Sequence, residues 1–408
     1  EAGSYKLNEY EFPRRIMAPL VRAVKTMSIL DHPHRAIRPS NVFFMDEAMQ
    51  ELVLGDCATA PPGFDQPMMF EPIDRSMAQP GGRGLGGLPD DVYALGVTFV
   101  VLMLGYNPVA NISEENLIRM KMEQDSYVAI CGNAHIPVPF LEPLRGMLND
   151  AKEERWGLEE LTGWVTGQKQ ASIKHVPIAK SDFLYSFEGH DHITPRTLAR
   201  YLSRHRETAM EAIKDEALIS WLRKGVQDAN LADGIKATVE TAALHKDEPQ
   251  GTDDFVIAKA CMVLDPHAPV RYKGFTFMPD GFGPAMAVEI LRRGDAKLPM
   301  EVLAYDLPIL WYTFRKAVFG GASVQQTEYI RLKSFLNIRD LGYGHERCLY
   351  ETNPSMPCQS PLLLKDYVVN IEDLLPALDA AANRVDTKNK PIDRHIAAFI
   401  AARFKEDI

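Results

Sequence analysis

The most apolar stretch of the chain is YALGVTFVVLML, which runs from Tyr93 to Leu104. A helix needs about 20 apolar residues to cross a bilayer, so a run of about a dozen is too short. Such a run is typical of a helix buried in the core of a globular domain. The sequence therefore predicts a domain built around this helix, and it predicts no membrane span.

Composition narrows the class of protein further. The 408 residues are enough for two or three domains, and the net charge is -10. An acidic chain is a poor candidate for general nucleic-acid binding, because phosphate contacts need a basic face. The five cysteines are odd in number and form no CxxC pair, which argues against a disulfide scaffold or a structural zinc site. We expect a cytoplasmic protein that binds no nucleic acid.

The first 166 residues are predicted to be helical with a small β-hairpin. Residues 13–30 place apolar side chains at helical spacing. Pro33 and Pro39 then force a loop. The runs NVFF and ELVLGD follow, and they predict two short strands joined by a polar turn.

The rest of the chain is predicted to be a second, mostly helical domain. Residues 167–181 lack periodicity and predict a linker. Residues 182–408 are rich in amphipathic helices, one of which starts with Thr194 as its N-cap and Pro195 at its first position. The predicted fold class is thus mainly α, with domains at 1–166 and 182–408.

Three motifs follow one another in the first domain. Residues 34–41 read HRAIRPSN, residues 56–58 read DCA, and residues 91–96 read DVYALG. Their order and spacing resemble the C-terminal lobe of the protein-kinase fold, whose catalytic loop reads HRDxKPxN and whose metal-binding motif reads DFG. The resemblance implies a kinase-like C-lobe of bacterial type, related to the serine/threonine kinases.

The resemblance also implies structural roles for several charged residues. Asp91 would steady the backbone of the catalytic loop. Arg155 matches a family arginine that pairs with an acidic residue at the end of the activation segment. We expect Asp74 to be that acidic partner, from its distance to Asp91 in the sequence, with Glu71 as the alternative.

The catalytic loop departs from the family pattern at two positions. Ala36 replaces the aspartate that accepts the proton of the substrate hydroxyl. Loss of a general base typically costs about 10² to 10⁴ in rate. Arg38 replaces the lysine that steadies the transferring phosphoryl group, and its planar fork is not equivalent to an ammonium. His34 and Arg35 remain, so the loop is degenerate and we expect no catalytic residue in it.

No Gly-rich loop followed by a VAIK-like strand precedes residue 32. The N-terminal lobe of the kinase fold, with the lysine that grips ATP, is therefore absent from this chain. We expect that an upstream lobe has been removed, rather than that the protein never had one.

Asn41 and Asp56 match the two family residues that hold Mg²⁺. An amide oxygen and a carboxylate suit this hard cation. The competing interpretation is that both persist only as structural hydrogen-bonding groups. We expect no cofactor in this chain, with binding of ATP and Mg²⁺ as the open alternative.

Three weaker patterns have simpler interpretations. Residues 82–87 spell GxGxxG, but no strand precedes them, so they predict a flexible loop rather than a dinucleotide site. His190, Asp191 and His192 predict a surface turn. Residues 265–283 are dense in proline, glycine and aromatic residues, and they predict an ordered packing loop, with a partner-binding loop as the alternative.

The leading functional hypothesis is a pseudokinase that acts as a signalling scaffold or regulator through protein–protein binding. Its contact surfaces would be the loop at 58–90 and the helical domain. The alternative is an ATP-dependent phosphoryl or nucleotidyl transferase that uses Asn41 and Asp56 as metal ligands. A small-ligand site within residues 182–408 is a third hypothesis.

Overall fold

The computed structural model of the protein describes residues 10–30, 32–47, 50–57, 61–168, 178–319, 324–384 and 390–404. The described residues are mainly helical, and their strands form three separate two-stranded antiparallel sheets. The predicted mainly-α class is confirmed. By the density of its contacts the chain divides into an N-terminal unit, Glu1–Asp280, and a C-terminal unit, Gly281–Ile408.

The first part of the N-terminal unit contains seven α-helices and one hairpin among its described residues. The two predicted strands pair as a hairpin, with Val42 opposite Leu54 and Phe44 opposite Leu52. The elements are α1 (Ala18–Ile29), β1 (Val42–Phe44), β2 (Leu52–Leu54), α2 (Ile73–Ser76), α3 (Leu88–Leu104), α4 (Glu114–Gln124), α5 (Ser126–Cys131), α6 (Val138–Met147) and α7 (Leu158–Val165).

Helix α3 contains the apolar run and lies in the middle of the core. Every residue from Asp90 to Val100 is buried. The helix starts where the Asp90 carboxylate accepts a hydrogen bond from the backbone N–H of Gly87 (2.8 Å). It ends at Gly105, whose left-handed backbone (φ 73°) closes the last turn. The predicted buried core helix is confirmed, and in the described part of the chain no helix has the length and hydropathy that a bilayer crossing requires.

The second part of the N-terminal unit consists of two hairpins and five helices within the described range. The elements are β3 (Tyr185–Phe187), β4 (His190–His192), α8 (Pro195–Arg204), α9 (Arg206–Lys214), α10 (Glu216–Ser220), α11 (Ala229–Leu244), α12 (Asp253–Leu264), β5 (Val270–Tyr272) and β6 (Phe275–Phe277). Helix α12 packs against α8, α9 and α11, and it is buried along most of its length. It therefore forms the centre of this part.

The described residues of the C-terminal unit form helices joined by turns and loops, with no strand among them. A core around Tyr350 and Phe399 holds its last helices together. The elements are α13 (Phe282–Arg293), α14 (Lys297–Ala304), α15 (Leu307–Phe319), α16 (Val324–Leu336), α17 (His345–Thr352), α18 (Leu374–Ala382) and α19 (Arg394–Phe404).

The predicted domain boundaries stay a prediction. Most of the expected linker at 167–181 falls on residues 169–177, which lie outside the described residues. The division by contact density falls at Asp280 instead, so residues 182–280 share a unit with the predicted kinase-like lobe.

Candidate functional site

Asp91, in the first turn of α3, binds the backbone of the HRAIRPSN loop (residues 34–41). Its two carboxylate oxygens accept hydrogen bonds from the backbone N–H groups of His34 (2.6 Å) and Arg35 (2.8 Å). Arg35 has a left-handed backbone (φ 58°), which is uncommon for a residue other than glycine. Burial raises the pKa of Asp91 to about 6, although the two N–H groups act in the opposite direction. Asp91 thus fixes the backbone of the loop at its sharpest bend.

His34 is a neutral bridge between this loop and Gly55. Its Nδ1 accepts a hydrogen bond from the backbone N–H of Ala36 (3.2 Å), and its Nε2 lies 3.2 Å from the carbonyl oxygen of Gly55. This pairing makes Nε2 the protonated nitrogen. Burial lowers the pKa of His34, which favours the neutral ring. Ala36 itself is only 2% exposed, and its methyl group offers no acceptor.

Asn41 contacts the backbone of Asp56, and their roles as metal ligands stay a prediction. The Asn41 amide nitrogen donates to the carbonyl oxygens of Ala36 (3.0 Å) and Asp56 (2.7 Å). Its oxygen faces Gly55 so closely that a Cβ there would lie 2.3 Å away. Asn41 therefore joins the HRAIRPSN loop to residues 55–56, and position 55 requires glycine.

The pair has part of what a magnesium site needs. The Asp56 residue is exposed, and carboxylate and amide oxygens are suitable ligands for Mg²⁺. Mg²⁺ prefers six oxygen ligands, so water molecules and the phosphates of a nucleotide would have to supply the rest. Among the described residues, no group of three or more His, Cys, Asp and Glu side chains could hold a metal ion.

Arg38 is engaged with a residue that sequence reasoning missed. Its guanidinium donates to the side-chain oxygens of Ser40 (3.2 Å) and Gln66 (3.2 Å). The amide nitrogen of Gln66 donates in turn to the carbonyl oxygen of Ile37 (2.8 Å). Gln66 is 3% exposed and lies in a turn-rich stretch, so its sequence context gave no signal of this role.

Glu71 pairs with the HRAIRPSN loop. Its carboxylate lies 3.1 Å from the Arg35 guanidinium, and both side chains are almost fully buried. Burial raises the pKa of Glu71, while the charges of Arg35 and Arg83 oppose that rise. The ion pair connects the loop to the segment at 61–90, which the sequence had left without a defined anchor.

The predicted partner of Arg155 requires a correction. Within the residues that the structure describes, no ion pair joins Arg155 to Asp74 or to Glu71. Its guanidinium donates instead to the carbonyl oxygen of Pro89 (2.8 Å) and lies 3.9 Å from the Asp90 carboxylate. Asp90, in the first turn of α3, is the carboxylate that the fold brings close to Arg155.

Asp90 is the centre of a buried cluster of charges. Arg75 donates to it from Nε (2.9 Å), and the cationic groups of Lys152 and Arg155 lie within 4 Å. Burial opposes ionisation, but these cations hold the pKa of Asp90 well below its usual range. Neither Arg75 nor Asp90 was a predicted site residue. The Asp doublet at the start of the apolar helix was the available signal.

Lys121 binds the backbone of the segment at 61–90. It is fully buried in α4, and its ammonium donates to the carbonyl oxygens of Met68 (3.3 Å), Met69 (3.5 Å) and Glu71 (3.0 Å). The ring of Tyr93 lies 5.1 Å away, at cation–π distance. Burial lowers the pKa of Lys121 from 10.5 to about 8.

This buried lysine predicts a pH dependence of stability. Between the folded pKa of about 8 and the unfolded value of 10.5, the unfolded chain binds more protons than the folded chain. Stability conferred by Lys121 therefore rises with pH across this window and is lost as pH falls through 8. Relative to Lys121→Met, we expect the wild type to gain about 3 kcal/mol in free energy of unfolding between pH 7.5 and 10.5.

Urea unfolding of both proteins across that range measures the gain. Groups that do not contact Lys121 contribute equally in both proteins, so their effects cancel in the difference. Lys25→Met, an exposed change on α1, is the matched control and should give a constant difference. A constant difference for Lys121→Met as well would contradict this account of the buried ammonium.

A cavity of about 610 Å³ lies beside the HRAIRPSN loop. His34, Cys57, Leu85 and Asp91 are among its lining residues. A second cavity, of about 600 Å³, lies in the C-terminal unit, where Arg394 is among the lining residues. The hypothesis of a small-ligand site within residues 182–408 stays a prediction.

The three weaker patterns take defined structures. The glycine loop at 82–87 is packed rather than open: Gly82 is buried against β6, and Gly84 lies against Asp280. Residues 190–192 form β4, not a surface turn, and burial of His192 lowers its pKa to about 4. Residues 265–283 contain the β5–β6 hairpin and pack as an ordered element.

Comparison with known proteins found no relative: no family model, no curated protein and no solved structure matches the chain. The function is therefore argued from the residues and their geometry.

Proposed function

We propose that this chain contains the C-terminal lobe of a kinase-like protein that has lost phosphoryl transfer. It would act in the bacterial cytoplasm as a scaffold or regulator by binding other proteins. The observation that carries the proposal is Ala36, a buried methyl group in a loop whose backbone is fully supported. The hydrogen bonds that hold the loop backbone are present, whereas the carboxylate that would accept the substrate proton is not.

The loop geometry supports this interpretation. Asp91 and Asn41 hold the backbone on both sides of Ala36. Kinase-type transfer needs an acceptor within hydrogen-bond reach of the attacking hydroxyl. A general base would have to stand at position 36 or beside it, and alanine supplies none.

The nearest titratable ring does not replace the missing carboxylate. His34 uses Nδ1 to accept from Ala36 and Nε2 to donate to Gly55. Both nitrogens are occupied, and the ring is 1% exposed. It is therefore not free to take a proton from a substrate.

The alternative, an ATP-dependent transferase, is favoured by one observation. Asp56 is exposed, and its backbone carbonyl accepts a hydrogen bond from the Asn41 amide, so the two residues expected of a nucleotide–Mg²⁺ site are neighbours. When bound, that ion would supply charge neutralisation for the phosphates. The residues of this chain would contribute only the two oxygen ligands.

Nucleotide binding separates the two functions. We expect millimolar ATP with Mg²⁺ to shift the melting temperature by less than about 1 °C, because a ligand stabilises a protein only through occupied sites. Thermal melts with ATP and Mg²⁺, with Mg²⁺ alone and with no addition measure this shift. Asp56→Ala is the control variant, since the exposed carboxylate is the group that would contact the metal.

A shift of several degrees that disappears in Asp56→Ala would favour the transferase. Transfer of label from γ-labelled ATP to a protein acceptor would overturn the pseudokinase proposal outright. A binding role predicts in addition that the same partners copurify from a bacterial lysate with and without ATP.

A further inference from the structure

The glycine loop at 82–87 has a backbone shaped to bind an anion. Gly84 (φ 83°) and Gly86 (φ 71°) both have left-handed backbones, which glycine adopts without strain. A right-handed residue followed by a left-handed one, as Arg83 (φ −67°) and Gly84 are, turns successive N–H groups toward one side and creates a concave anion site. The N–H of Gly86 donates to Oδ2 of Asp280 (3.0 Å).

Arg75 supplies a positive charge to the same carboxylate. Its Nη1 lies 3.2 Å and 3.1 Å from the two oxygens of Asp280. Arg75 is 5% exposed, and its Nε is held by Asp90 at 2.9 Å, so the guanidinium cannot easily turn away. Its Nη1 also contacts the carbonyl oxygen of Arg83. A fixed cation and a backbone donor therefore converge on one carboxylate.

The glycines permit the close approach of the hairpin that brings Asp280. A Cβ at Gly84 would lie 2.3 Å from an oxygen of Asp280, and one at Gly82 would lie 2.7 Å from the carbonyl oxygen of Thr276. Both distances are too short for real atoms. The GxGxxG pattern thus makes room for a protein carboxylate rather than for a nucleotide.

Backbone hydrogen bonds on either side align the two segments. The N–H of Gln79 donates to the carbonyl oxygen of Thr276 (3.1 Å), and the N–H of Met278 donates to that of Gly82 (2.7 Å). The β5–β6 hairpin therefore lies along the Gln79–Gly86 surface, and so do the residues that follow it as far as Asp280. The main-chain hydrogen bonds resemble those that an added strand makes with a sheet edge.

We propose that Arg75 and the glycine loop form a carboxylate-binding site that the chain fills with its own Asp280. This intramolecular ligand covers the Gln79–Gly86 surface, which the sequence had suggested as a partner contact. A protein partner that uses this surface must bring an acidic side chain of its own and displace the hairpin. The inference goes beyond the proposed function and does not depend on it.

Chemical rescue tests the site in the full chain. Asp280→Ala removes the ligand and leaves its donors in place, so we expect the melting temperature to fall by about 5 °C. Sodium formate in excess of its dissociation constant should then raise the melting temperature of the variant by about 2–4 °C more than that of the wild type. The Asp280 side chain is 24% exposed, so a small anion can reach the site from solvent.

Two controls make the rescue specific. Sodium chloride at equal ionic strength should not distinguish variant from wild type. Asp280→Asn fills the same space with a neutral amide, so formate should not rescue it. Equal effects of formate and chloride on Asp280→Ala, or equal rescue of both variants, would overturn the proposal.

Hydrogen exchange gives a second measurement should Asp280→Ala fail to fold. In Asp280→Asn, amides at 79–87 and 275–280 should exchange faster than in the wild type, while amides of the β3–β4 hairpin should not change. Unchanged exchange at 79–87 would sink the proposed self-binding.

Discussion

Replacing Arg75 by alanine is expected to lower the free energy of unfolding by about 3–5 kcal/mol. Arg75 is the closest cation to the buried carboxylate of Asp90, and its removal leaves that charge without its main partner. It also frees the Asp280 carboxylate. Breaking a buried ion pair from one side is costly because the remaining charge is not resolvated.

Urea unfolding followed by circular dichroism measures the loss. Arg22→Ala, an exposed arginine on α1, is the matched control, and it should change stability by less than about 0.5 kcal/mol. Arg75→Lys keeps the charge but not the fork, so it should recover only part of the loss. Equal effects of the Arg75 and Arg22 substitutions would mean that the charge cluster contributes little.

Asp91→Ala is expected to cost about 3–4 kcal/mol. The substitution leaves the buried N–H groups of His34 and Arg35 without their acceptor, and each unsatisfied buried donor costs about 1–3 kcal/mol. The left-handed backbone of Arg35 would also lose the contact that holds it. Asp91→Asn keeps one side-chain oxygen as an acceptor, so we expect about half the loss.

The same urea titration, with hydrogen exchange at residues 34–36, checks this order of effects. Exchange there should be fastest in Asp91→Ala, intermediate in Asp91→Asn and slowest in the wild type. If Asp91→Ala lost less than about 1 kcal/mol, the HRAIRPSN loop would have to be held by other contacts.

Local patterns in the sequence predicted local structure well. The apolar run at 93–104 became part of α3 and is buried as far as Val100, and the runs NVFF and ELVLGD became β1 and β2. Thr194 caps α8, where its side-chain oxygen accepts from the N–H of Thr197. Such features depend on neighbours within a few residues, and the chain itself supplies them.

Partners in the charge clusters could not be predicted in the same way. Distance along the chain predicts Asp74 as the partner of Arg155. In the structure, the carboxylate that pairs with Arg155 is that of Asp90. Glu71 pairs with Arg35, 36 positions away. Which carboxylate meets which guanidinium is decided by how helices and loops pack, and a single sequence does not encode that in any local pattern.

The 82–87 glycine loop shows the same limit. The absence of a preceding strand predicts that its GxGxxG pattern is not a dinucleotide site, and this stays a prediction. Its packing against residues 276–280 was not predicted, because the contacting residues are far apart in the chain. Glycine alone does not say which atom approaches it.

The ion pair between Arg75 and Asp280 joins residues 205 positions apart. A ribosome adds about 5–20 residues per second, so about 10–40 s separate the synthesis of these two side chains. During that interval the nascent chain contains Arg75, but Asp280 has not yet been synthesised. Chaperones and proteases would therefore meet the 61–90 segment before its final anchor exists, and its maturation must wait for the synthesis of Asp280.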